Sequence, residues 1–174
     1  MYRLTPITVV LASVLFGCSE GIKIEESDIV GQWNSRSDSL ADDDSSFREA
    51  LIEQFHTDYT YIAEGKVEMY WNNNGKSFVT LTASARGTWK IEESKVLKKL
   101  DKFRINSFES HYPGITREII EDSIDEIIDE PEWLKPVKVE DFYIELEGVK
   151  EKAVYTMTRI QDNKTRDQIA GTKD

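Results

Sequence analysis

The sequence predicts a mainly β fold, an antiparallel eight-stranded β-barrel with two inserted amphipathic helices. Three observations carry that expectation. Apolar and polar residues alternate with period two along most of the chain, turn-forming residues separate the alternating runs, and only two segments space their apolar residues by three and four.

The elements follow in chain order. GQWNSR, starting at Gly31, is the first strand. DDDSSFREALIEQF, residues 42–55, sets Asp and Ser caps ahead of Phe47, Ala50, Leu51 and Phe55, which is the stripe of an amphipathic helix. TDYTYIA and KVEMYW are two further strands, the latter with Val67, Met69 and Trp71 on one face and Lys66, Glu68 and Tyr70 on the other. NNNG at 72–75 accepts positive φ and so makes a hairpin turn.

FVTLTA then aligns Val79, Leu81 and Ala83, and GTWKIE aligns Trp89 and Ile91. EESK turns the chain into VLKKLDKFRI, whose alternation slips near Lys98 and Lys99 as at a bulge. GITREIIEDSIDEIIDEP is the second helix, with Ile119, Ile120, Ile124, Ile127 and Ile128 opposite an acidic face and an end before Pro131. Carboxylates near its C-terminus oppose the helix dipole, so packing must hold it. DFYIELEG and KAVYTMTRI, joined through Gly148, form a last hairpin. Eight strands linked mostly as hairpins suit a sheet closed on itself.

The flanks differ in kind. Residues 1–17 carry Arg3 and then an apolar run from Ile7 to Phe16, the make-up of a signal peptide and shorter than the roughly 20 residues a membrane span needs. Residues 18–28 form a polar tether, the domain occupies 29–160, and 161–174 is a polar tail expected to be disordered. Removing Arg3 with the signal takes the net charge from −11 to −12. So acidic a body repels phosphates, which argues against nucleic acid and against electrostatic docking on anionic membranes.

Cys18 is the sole cysteine, so an intrachain disulfide is excluded. His56 and His111 stand in unrelated settings, and no nucleophile or metal-site spacing accompanies them. Asp38, Asp42, Asp44 and Glu49 approach calcium-loop offsets, but Leu40 and Asp43 stand where an oxygen ligand and the turn glycine are needed. The expectation is therefore a protein that is not an enzyme, with no catalytic residue, no metal and no cofactor.

Leu15, Gly17 and Cys18 at the end of the apolar run resemble the bacterial prolipoprotein signal, which implies lipidation of Cys18 and attachment to the membrane through it. Ser19 after the cysteine implies the outer membrane, facing the periplasm. With Gly31–Gln32–Trp33 on the first strand, eight hairpin-linked strands and Arg159 on the closing strand, residues 29–160 resemble the calycin group, nearest to the small bacterial lipocalin-like lipoproteins. That resemblance implies that Trp33 packs at the closed end of the barrel against Arg159. Ala153, Tyr155, Met157 and Arg159 fall on one face of the last strand, and an arginine over a tryptophan contributes roughly 0.5–2 kcal/mol. Gly87–Thr88–Trp89 repeats the Gly-x-Trp pattern in mid-sheet. The last strand lacks the Arg-x-Tyr ending of the fatty-acid-binding branch, since Gln161 stands where the tyrosine would.

Tyr59, Tyr61, Met69, Trp71, Trp89, Tyr155 and Met157 are the candidate ligand-facing residues. Two expectations follow from them. In one, an open-mouthed barrel in the envelope binds a small hydrophobic or amphipathic ligand, with the first helix as a partial lid. In the other, those bulky residues fill the barrel, and the acidic helix or an exposed strand edge docks another envelope protein.

Overall fold

Eight antiparallel strands follow one another around a closed ring in chain order, and the eighth returns to pair with the first. The structure is a computed structural model and describes residues 21–40, 44–125, 128, 130–150 and 153–161. The signal peptide, Cys18 and residues 162–174 lie outside the described residues, as do Asp42 and Ile127. The elements are α1 (Glu26–Ile29), β1 (Gly31–Leu40), β2 (Ser45–Phe55), β3 (Thr60–Trp71), β4 (Ser77–Glu92), β5 (Lys95–Ser110), α2 (Arg117–Asp125), β6 (Pro131–Glu140), β7 (Tyr143–Gly148) and β8 (Val154–Arg159).

Strand number agrees with expectation, but the partition differs. TDYTYIA and KVEMYW belong to one strand, β3, and FVTLTA and GTWKIE to another, β4. The expected first helix over 42–55 is instead β2, paired with β1 along its length and with β3 from Ser45 to Phe55. Phe47, Leu51 and Phe55 are four residues apart, a spacing that suits a helical stripe and a strand face equally. Pairing on both sides decides for the strand. β6 lies in a stretch for which the alternation suggests no element. Pro131 is its first residue, and Pro136 sits at a register shift, positions that tolerate a missing N–H.

The second helix is shorter than expected, nine residues with none fully buried. Ile120 packs against a core cluster, whereas Ile119 is exposed. The folded part also starts before Ile29, because Ile24 within the expected tether is buried in the core alongside Ile29. The bulge expected near Lys98 and Lys99 falls at Asp101, since Gly87 faces Leu100 while Arg86 faces Lys102. A further register shift in the β4–β5 pair falls between Thr82 and Ala83.

Alternation buries one face of each strand inside the ring. At one end Ile24, Ile29, Trp33, Phe55, Tyr61, Trp89, Leu134, Ile144 and Met157 form a cluster, and at the other Phe78, Val79, Leu81, Ala83 and Ile105 form a second. Between them β1, β3 and β4 contribute small inward residues such as Ser35, Gly65 and Ala85, which let facing walls approach.

Both glycines of the Gly-x-Trp pairs have steric reasons. Gly31 has φ +135°, and a Cβ there would lie 2.9 Å from an Arg159 Nη1. A Cβ at Gly87 would lie 1.9 Å from the Lys99 carbonyl oxygen and 2.8 Å from Tyr61 Cε1, so only glycine permits this approach of β4 to β5.

Closure is uneven. β4 and β5 pair from Val79–Ser110 to Glu92–Lys95, but β5 meets β6 only from Val96 to Lys99. Among the described residues, β5 beyond Lys99 has no strand on that side, and there the Arg117 guanidinium donates to the Ile105 carbonyl at 3.0 Å.

Candidate functional site

Three arrangements of side chains stand out, beginning with the end of the ring covered by α1. Trp33 is 0 % exposed, and its indole N–H donates to the Ile29 carbonyl at 2.7 Å. Arg159 lies opposite Trp33 in the β1–β8 register, with its guanidinium carbon 4.3 Å from the ring centroid. Its N–H groups donate to the carbonyls of Val30 (2.8 Å), Asp28 (2.6 Å) and Asp141 (3.1 Å). One arginine thus covers the tryptophan, satisfies the carbonyls at the end of α1 and fastens the β6–β7 turn.

The second arrangement is polar and lies inside the ring. Lys98 points inward from β5, 13 % exposed, and its ammonium pairs with Glu53 of β2 at 2.7 Å. Lys98 also neighbours Glu132 across the β5–β6 pair and lies 5.1 Å from the centroid of the Tyr61 ring. Glu132 accepts a 2.5 Å hydrogen bond from the Tyr155 hydroxyl, and Glu49 accepts one of 2.8 Å from Ser37. No buried side-chain nitrogen or oxygen among the described residues lacks a partner.

Burial alone lowers the pKa of Lys98, but the nearby carboxylates, Glu53 first and then Glu132, outweigh it and hold the ammonium well above the ordinary lysine range. Burial raises Glu49, an effect that its Ser37 hydrogen bond and Lys98 only partly oppose. Burial also raises Tyr155 far above the usual phenol value, and the negative charge of Glu132 adds to it. Lys98 therefore stays charged and both phenols stay neutral, which gives a fixed electrostatic strut across the interior rather than a poised acid–base pair.

A cleft of about 780 Å³ on the outer wall is the third arrangement, lined by residues of β1 to β5.

The expected ligand-facing residues separate into groups. Tyr61, Trp89 and Met157 are buried in the cluster at the α1 end, where Tyr61 stacks on Phe55 at 5.8 Å and Trp89 meets Phe55 edge-on at 5.7 Å. Met69 and Trp71 pack against the opposite cluster, with Trp71 stacked on Phe78 at 4.2 Å. Tyr155 belongs to the polar group. Tyr59 is exposed, beside a cleft of about 300 Å³ under α1, and its hydroxyl donates to Glu26 at 3.1 Å. The set is not one lining.

Among the calcium-loop candidates, Asp38 pairs with Arg48 at 3.0 Å while Glu49 faces the interior, so the two lie on different faces of the wall. No group of three or more metal-ligating side chains occurs among the described residues.

Sequence reasoning missed Glu53, Lys98, Glu132 and Ser37. A signal for the first two existed. Glu49 and Glu53 alternate with Phe47, Leu51 and Phe55, and Lys98 follows Val96 on the same face. The sequence matches no protein-family model and no curated protein.

Proposed function

We propose that this chain is a non-enzymatic lipoprotein of the cell envelope, anchored through lipidated Cys18 to the outer membrane and facing the periplasm. Its ring acts as a filled, lipocalin-like barrel that docks another envelope protein. The interior carries this reading: bulky side chains pack both ends, and the space between them holds a charged strut. Carriage of a small apolar ligand inside has less support, because Tyr61, Trp89 and Met157 are spent on packing. The Trp33–Arg159 contact supports the likeness to lipocalins.

A partner strand has a place to add. Among the described residues β5 runs past β6 with no strand beside it beyond Lys99, the kind of edge used in strand addition. A photo-crosslinking residue at exposed Asn106 is expected to yield a discrete adduct in living cells, while one at exposed Lys90 yields none. Equal labelling from both positions, or from neither, would remove the edge from consideration.

The anchor has its own test. Cys18→Ala is expected to abolish incorporation of a labelled acyl chain and to release the protein from the membrane fraction. Undiminished labelling would sink the lipoprotein reading while leaving the barrel untouched.

A further inference from the structure

We infer that the outer cleft is a binding site for a single-chain amphipathic carboxylate, such as a medium-length fatty acid, held outside the barrel rather than within it.

The inference starts from two adjacent rows of outward residues. Strand register aligns Gln32, Gln54, Ile62, Arg86 and Lys102 across β1 to β5, and beside them Asn34, Ile52, Glu64, Ser84 and Arg104. The rows are polarised: β2 and β3 supply Ile52 and Ile62, 48 % and 47 % exposed, whereas β4 and β5 supply three cations. Among the described residues, none of Arg86, Lys102 and Arg104 makes a side-chain hydrogen bond or ion pair. Only Glu64 among the lining residues opposes them, leaving a local charge of +2 on a chain whose net charge is −11.

Such a grouping is unusual on so acidic a protein. Many cations elsewhere on its surface pair with carboxylates, as Arg48 does with Asp38, Lys66 with Glu68 and Lys138 with Glu140, and those that do not, such as Arg36, Lys76 and Lys135, are not grouped on adjoining register rows as these three are. Three left unpaired beside two exposed isoleucines match a ligand with an anionic head and an apolar body. Size agrees. The volume of about 780 Å³ lies within the range of small-molecule sites, and β2 to β5 span three strand spacings, about 14 Å.

Form and charge select a free molecule over a bilayer. One amphiphile can enter a concave cleft that a flat headgroup surface cannot follow, and the whole acidic body is repelled by an anionic membrane. The head would meet Arg86 and Arg104, whose planar forks suit a carboxylate, and the chain would lie over Ile62 and Ile52. This site depends neither on the anchor nor on a filled interior.

The test is a titration of the purified protein with dodecanoate, followed by methyl NMR and calorimetry. Saturable shifts are expected at the Ile52 and Ile62 methyls, with those of Met69 and Met157 unmoved. Dodecanol should bind at least tenfold more weakly, as should dodecanoate to the Arg86→Glu/Arg104→Glu variant, whose urea midpoint should match the parent. Shifts centred on Met69 or Met157 would move the ligand inside and overturn the proposal. So would dodecanol binding as tightly as dodecanoate, an absence of saturable shifts in the parent protein, or binding only when anionic vesicles are supplied.

Discussion

Replacing Lys98 with methionine is expected to cost about 3–5 kcal/mol of stability, the usual penalty for stranding a buried charge. The ammonium is the sole cation of the interior group described above, and without it Glu53 keeps its burial but loses the partner 2.7 Å away. Glu132 and Glu49 then face Glu53 with only hydroxyl donors between them. Replacing both members, Lys98→Met with Glu53→Leu, should recover most of the loss, because an apolar pair of similar volume avoids desolvation altogether. Urea unfolding of the two single variants and the double variant decides the matter. A loss below about 1 kcal/mol for Lys98→Met, or simple additivity in the double variant, would show that the strut carries no coupled energy.

Trp33→Ala is expected to cost about 3–5 kcal/mol as well, since it removes the largest of the fully buried side chains of the α1 end. Arg159→Met should also destabilise, through three lost hydrogen bonds to backbone carbonyls as much as through the ring contact. The two effects should be non-additive by about 1–2 kcal/mol, the share belonging to the cation over the indole. A double-mutant cycle within about 0.3 kcal/mol of additivity would mean that the arginine acts on the carbonyls alone.

What the sequence made legible divides along one physical line. Period-two alternation locates a strand wherever its inward residues are apolar, and it worked for β7 and β8 and, each in two pieces, for β3 and β4. It failed at β2, where inward residues are charged: Glu49 and Glu53 broke the face and left Phe47, Leu51 and Phe55 looking helical, while Lys98 interrupted the face of β5 without hiding that strand. Glu53 and Lys98 are each other's partners across the interior. Their meaning is therefore a property of the pair, and no local window contains both.

β6 was hidden for a different reason. Pro131 and Pro136 discourage a strand assignment, yet one sits at the strand start and the other at an irregularity. The outer cleft was invisible because its rows run across five strands, so neighbours in space such as Ile62 and Arg86 are neighbours only once register is known. The closed end was more accessible, since the resemblance to lipocalins implied the contact of Trp33 with Arg159 and the alternation of the last strand was compatible with it.

The seam between β1 and β8 joins Trp33 to Arg159, 126 positions apart in the sequence. Every other neighbouring pair of strands follows directly along the chain, so β1 to β5 can zip together by successive hairpins while the rest is still being synthesised. The seam must wait for the final strand, and it closes the longest loop in the molecule at the greatest entropic cost. Until then β1 presents a bare edge to its surroundings, as a nascent sheet with no lock. Arg159, arriving with the last strand, joins β8 to β1 and reaches back to the carbonyls of Asp28 and Val30, so the last strand made secures the segment that leads into the first.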